Sequence, residues 1–249
     1  MQPAEDITIG AFWGARLCSV QECARTLVDV VERLTATVGP PFRDLFYGRD
    51  SPREPRRGFD GEDLDAVAGS LAKSISHRDD DQTHLPNLGY VISVDEGRNR
   101  MHQARIRLTC GLESPRLWNS VTLDLPESVE ADAAGLEWVQ AALRELIHAT
   151  DPDWARIDSL TRLVAMDRRE PSPTVGWTLY LKAGPVTIPP LPRDVEVSAL
   201  GSGTLIKTTD DWFDGERDEH LRNAAEVERR LREAALLHGP GGAESGTRP

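Results

Sequence analysis

A chain of 249 residues, 39% of them hydrophobic and with a mean hydropathy of −0.42, can bury one substantial core or two small ones. No apolar run approaches the roughly 20 residues that span a bilayer. The net charge of −12 excludes a general nucleic-acid binder, because phosphate contacts need clustered positive charge; it suits a basic protein partner instead.

Met1 to Asp6 is acidic and lacks the positive and apolar regions of an export signal, so a cytoplasmic protein is expected. Ile7, Ile9, Ala11 and Trp13 alternate with Thr8, Gly10 and Phe12, the period of a strand. Ser19 with Glu22 three residues later forms a capping box. The helix it opens carries Val20, Cys23, Ala24, Leu27, Val31, Leu34 and Val38 on one face, with Asp29 and Arg33 paired on the wet side. Gly39-Pro40-Pro41 stops it. Residues 42 to 59 are rich in arginine, at Arg43, Arg49, Arg53, Arg56 and Arg57. They read as a solvated loop balanced by Asp44, Asp50 and Glu54, with an anion contact as the sharper reading. Asp60 is expected to cap a second helix with Leu64, Val67, Ala68, Leu71 and Ile75 inward.

A polar stretch from His77 to Gln82 contains Asp79, Asp80 and Asp81. Beyond it, Leu88 to Val94 and His102 to Cys110 alternate around a Glu96-Gly97-Arg98-Asn99 turn, an antiparallel hairpin. Val121, Leu123 and Leu125 add a third strand, giving a meander with one apolar and one polar face. A third helix places Leu136, Val139, Leu143 and Leu146 inward and ends at Thr150-Asp151-Pro152. Trp154 to Leu160 and Gly176 to Leu181 read as strands. Pro185, Pro189, Pro190 and Pro192 make a rigid connection. Val195 to Val197 and Thr204 to Lys207 are two further strands, turned at Gly201-Ser202-Gly203. The last helix spans Asp218 to Leu237, with Leu221, Ala225, Leu231, Ala234 and Ala235 as its stripe. The fold class is therefore α+β: a mostly antiparallel sheet flanked by about four helices. One domain over residues 1–238 is expected, with a disordered tail over 239–249.

No catalytic set emerges. His77-Arg78-Asp79 copies part of a kinase catalytic loop, but His84 stands where the magnesium-binding asparagine belongs. Gly201-Ser202-Gly203 lacks the third glycine of a dinucleotide fingerprint. None of Lys73, Lys182 and Lys207 follows an acid by two residues, the spacing that restriction-type nuclease chemistry wants. Cys18, Cys23 and Cys110 suit neither a disulfide framework nor zinc. The local cluster His77, Asp79, Asp81 and His84 reads as a loop before it reads as a metal site. No catalytic residue, metal or cofactor is expected, and function is expected to lie on a surface. Two acidic runs are candidates for it: Asp79, Asp80 and Asp81, and the group Asp210, Asp211, Asp214 and Glu216 ahead of the last helix. The second run also complements a helix N-terminus, its plainer role.

The order Phe12-Trp13-Gly14-x-Arg16, Glu22-Cys23-Ala24, Asp151-Pro152-Asp153-Trp154, Val175-Gly176-Trp177 and Pro190-Leu191-Pro192 is informative as a series. Gly203-Thr204-Leu205-Ile206, Thr209-Asp210 and His220 complete it. The whole resembles the Immunity protein 52 family of bacterial polymorphic toxin systems over residues 7 to 237. The resemblance implies a cytoplasmic, non-catalytic protein that neutralises a cognate toxin, often a nuclease with a restriction-endonuclease-like fold. From the charge and the lack of a long apolar run, no nucleic-acid or membrane partner is expected, and the resemblance assigns no contact residues. With the resemblance set aside, the alternative is a small-molecule or nucleotide-processing enzyme using the arginine-rich loop 43–57 to hold an anionic substrate.

Overall fold

The computed structural model describes residues 7–48, 55–75, 85, 87–97, 103–126, 128–166, 172–182 and 188–239. In chain order the elements are β1 (Ile7–Trp13), α1 (Val20–Thr37), β2 (Phe46–Tyr47), α2 (Leu64–Lys73), β3 (Leu88–Asp95), β4 (Arg105–Leu112) and β5 (Asn119–Asp124). There follow α3 (Ala133–Thr150), β6 (Trp154–Ser159), α4 (Leu160–Ala165), β7 (Thr178–Leu181), β8 (Glu196–Leu200), β9 (Gly203–Lys207) and α5 (Asp218–Glu233). The strands form one nine-stranded sheet, ordered β2-β3-β4-β5-β1-β6-β7-β9-β8, in which every neighbouring pair is antiparallel. The α+β class and the antiparallel sheet match the expectation.

Alternation decides which face is buried. Register places Ile9 opposite both Leu123 and Ile157, and Ile106 opposite both Leu123 and Val94. These side chains share one face and are fully buried. Helix α3 covers it over β1 and β6 and α1 covers it over β4, while α2 packs against α1. Gln140 on α3 donates to the Thr178 hydroxyl of β7 at 3.0 Å, fixing helix against sheet. On the opposite face of the meander, Ser93, Arg107 and Thr122 lie side by side, half-buried or exposed. The greasy and polar faces are as the period predicts. Strand β7 differs, being buried at all four residues.

The capping box at Ser19 and Glu22 forms in both directions. A cap is worth about 1 kcal/mol. Burial of Leu27, Val30, Val31 and Leu34 contributes about 1.5–3 kcal/mol per side chain before entropy is charged against it. Packing therefore holds α1, and the cap sets where it begins.

Three boundaries differ from the sequence reading. Asp63, not Asp60, caps α2 by accepting from the Ala66 amide; Asp60 instead accepts from Glu62 two residues on, a local turn. Ile75 leaves the helix and bridges to Tyr90. Helix α5 stops at Glu233, because Ala235 takes a left-handed conformation (φ 54°) and the Leu236 amide turns back to the Leu231 carbonyl. Ala234 and Ala235, read as part of its apolar stripe, are exposed. Residues 240–249 of the expected tail lie outside the described residues.

Candidate functional site

The segment after β9 carries the second acidic run. Asp210 and Asp211 are 86% and 74% exposed at the side chain, and Glu216 is exposed as well. Asp210 lies 2.7 Å from Lys207, which also meets Glu196, and Asp211 lies 3.6 Å from Arg217. Asp214 has a different task. Its carboxylate accepts from the Glu216 amide at 2.8 Å, and its own amide donates to His220 Nδ1 at 2.9 Å, so it shapes the turn into α5. Asp218 and Glu219 occupy the first turn of α5 and complement its positive end. Asp210, Asp211 and Glu216 are exposed, the first two beside Lys207 and Arg217. Asp79, Asp80 and Asp81 lie outside the described residues, as do His77 and His84.

Beside this run lies a cleft of about 570 Å³ that the sequence reading did not anticipate. Its wall includes Trp138 and Val129, and its rim carries Asp44, Glu96, Glu130 and Asp132, with no basic residue among the described lining. Trp138 is fixed by its indole N–H, which donates to the Val38 carbonyl at 3.0 Å, and by stacking on Phe42. Asp132 caps α3 through the Gly135 amide, and Glu96 accepts from the Ala104 amide. Gly135 has to be glycine: a Cβ there would stand 1.8 Å from the Glu130 carbonyl oxygen and 3.3 Å from the Trp212 ring. Through the Trp212 ring the 210–216 segment reaches Gly135, which lines the cleft. Only the N-cap role of Asp132 had a local signal.

The densest polar cluster is buried, and its groups are committed to one another. Asp158 is fully buried and sits 2.7 Å from Arg162. Arg162 also donates to the Val175 carbonyl and lies 3.7 Å from Glu228. Glu228 accepts from the Val175 amide at 3.1 Å and pairs with Arg232 at 3.0 Å. Burial pushes the Asp158 carboxyl up, against the pull of Arg162 and Arg156. Gly176 makes room for it, since a Cβ would fall 2.2 Å from the Asp158 carboxyl carbon. With its carboxylates and guanidinium so engaged, this cluster fastens α5 to β6 and α4. Cys23 and Cys110, distant in sequence, meet in the core as free thiols. The hydrogen bond with Cys23 and burial push the Cys110 thiol up.

The arginine-rich stretch does not act as a unit. Arg49 and Arg53 lie outside the described residues, and Arg43 is exposed. Arg56 pairs with Asp95 at 3.4 Å and lies over the Phe46 ring. Arg57 donates to Ser70 and stacks over Tyr47 at 4.2 Å.

The motif phrases explain one another as joints of the fold. Arg16 donates to the Thr150 and Asp151 carbonyls at 3.2 and 2.7 Å. The Gly14 amide donates to Asp153 Oδ2 at 2.7 Å, and the Asp153 amide to the Phe12 carbonyl at 2.9 Å. Phe12 and Trp154, opposite one another in β1 and β6, stack at 4.0 Å. Asp151 takes a left-handed φ of 44° to end α3, and Lys182 pairs with its carboxylate. The first and third phrases of the series are therefore one structural joint, 135 residues apart in the chain.

Comparison with known proteins places this joint in context. A solved Pseudomonas aeruginosa T6SS protein, PA0821, has the same fold at a TM-score of 0.54, with 12% identity over 97% of this chain and 77% of that one. No curated protein sequence matches significantly. The family model described as Immunity protein 52 matches residues 5–240, nearly the whole length, and the chain belongs to that family.

Proposed function

We propose that this protein neutralises a cognate bacterial toxin in the cytoplasm of the cell that makes it, by stoichiometric binding and without catalysis. The observation that carries the reading is the family match over residues 5–240. The toxin is a basic domain, and a nuclease of the restriction-endonuclease-like kind fits that description. A net charge of −12 favours fast encounter with such a partner. The contact surface is the acidic face: Asp210, Asp211 and Glu216, with the turn residue Asp214 beneath them, and the neighbouring cleft rimmed by Glu130 and Asp132. The cleft has the volume and the apolar wall to take a basic side chain together with its aliphatic stem. The Asp79, Asp80 and Asp81 run is proposed as a second part of the contact.

Co-expression tests the proposal. A candidate toxin domain, sought among the neighbouring genes, is induced in a sensitive host with and without the protein. Growth restored only when the protein is present supports the reading. Equal killing in both strains contradicts it.

A further inference from the structure

A second cleft, of about 590 Å³, opens where β2, the end of α2 and β3 meet. Its charge is opposite to that of the molecule. Arg57 and Lys73 line it together with Tyr47, Ser70 and Ser93, and no carboxylate occurs among its described lining residues. Two observations separate it from an ordinary surface groove. The Arg57 guanidinium is held by stacking on the Tyr47 ring at 4.2 Å and by its bond to Ser70, so its planar donor fork is oriented in advance. Ser70 in turn donates to the Ala66 carbonyl at 2.7 Å, which fixes that partner too. The Tyr47 hydroxyl, on a residue only 9% exposed, is buried with the Ser70 side chain beside it but forms no well-aligned hydrogen bond. An unsatisfied buried hydroxyl costs about 1–3 kcal/mol, so the site retains donor capacity that its own residues leave unused.

We propose that this cleft binds the phosphate group of a small molecule. Phosphate matches the donor set better than carboxylate does. An oriented guanidinium, an ammonium and hydroxyls offer more donors than two oxygens can accept, and a phosphate presents three or four oxygens carrying more charge. The volume exceeds that of a phosphate ion and leaves space for an organic body. Three effects oppose binding and set its strength, the first being the carboxylates of Asp60 and Asp63, whose charge reaches Tyr47 from outside the lining. The carbonyl end of α2 carries partial negative charge, which Lys73 in its last turn offsets. The net charge of −12 repels anions at long range, although salt screens that repulsion. Affinity on the order of millimolar is the result, with specificity coming from the local groups. The inference is independent of toxin binding, since the acidic face lies on other residues.

The test is calorimetric titration of the full chain with inorganic phosphate, with adenosine monophosphate as a phosphate monoester, and with acetate. Saturable binding of phosphate or the monoester but not of acetate is expected. The double variant Arg57→Gln, Lys73→Gln should bind about tenfold more weakly or worse while still melting in a single cooperative transition that shows it folded. A monoester preferred over inorganic phosphate identifies a phosphorylated metabolite as the ligand, and equal binding identifies free phosphate. Charge reversal at Asp210 and Asp211 should leave the titration unaltered. Absence of saturable binding, binding of acetate as strong as that of phosphate, or undiminished binding by the folded double variant would overturn the proposal.

Discussion

His220 shows how a single buried group converts geometry into a pH dependence. It is 2% exposed, lies against Phe213 with ring centroids 5.5 Å apart, and accepts the Asp214 amide at Nδ1. A nitrogen that accepts cannot also carry a proton, so the neutral ring holds its hydrogen on Nε2. Burial, aided by Arg217, pushes its pKa below the ordinary 6.5. The unfolded chain then takes up a proton near 6.5 where the folded chain does not. This stability is complete above that value and is lost as pH falls through it toward the depressed folded value. Urea midpoints between about pH 7.5 and about pH 5.5 should therefore drop further for the wild type than for His220→Asn, which keeps an acceptor but does not titrate. An equal drop in both would contradict this account. Residue-scale features of this kind were legible only where the partners are local. The Ser19–Glu22 box and the Asp29–Arg33 pair form as their spacing predicts. The meeting of Cys23 with Cys110 needed the fold.

At the scale of elements, α5 is the instructive case. Its sequence suggests an apolar stripe of Leu221, Ala225, Leu231, Ala234 and Ala235; of these Leu231 is buried, and the rest of the buried side is His220, Ala224, Val227 and Glu228. Hydrophobicity alone misplaced the stripe by about one position, because two polar residues go inward with partners waiting for them. Glu228 satisfies the Val175 amide and pairs with Arg232, and it adds charge opposite Arg162. Removing one member of such a buried network leaves the rest uncompensated, at about 3–5 kcal/mol. Glu228→Ala should lose stability of that order in urea unfolding, and Glu226→Ala, on the wet side of the same helix, far less, since exposed ion pairs are screened by solvent. Comparable losses in the two would show that the network does not anchor α5. Short elements escaped the sequence reading for a related reason. Two-residue β2 and six-residue α4 are too short to display a period, and register with β3 and the Ser159 cap define them instead. The long amphipathic helices and the alternating strands were readable, since each repeats its pattern several times.

For the whole molecule, the least legible feature is order in the sheet. The first strand lies at its centre, between β5 and β6, and the pairing that puts it there involves residues more than a hundred positions away. The fold gathers Asp44, Glu96, Glu130 and Asp132 from three stretches of chain around one cleft, and Trp212 of the 210–216 segment approaches Gly135 in its lining. On the proposed function, the exposed carboxylates of this region capture a basic toxin as a complementary body. The direct measurement is the affinity of purified toxin domain for the wild-type chain and for the triple variant Asp210→Lys, Asp211→Lys, Glu216→Lys, at low and high salt. One-to-one binding that weakens with salt, and that falls about a hundredfold or more with a flatter salt dependence in the folded triple variant, is the predicted result. Unchanged affinity and salt response in that variant would contradict it.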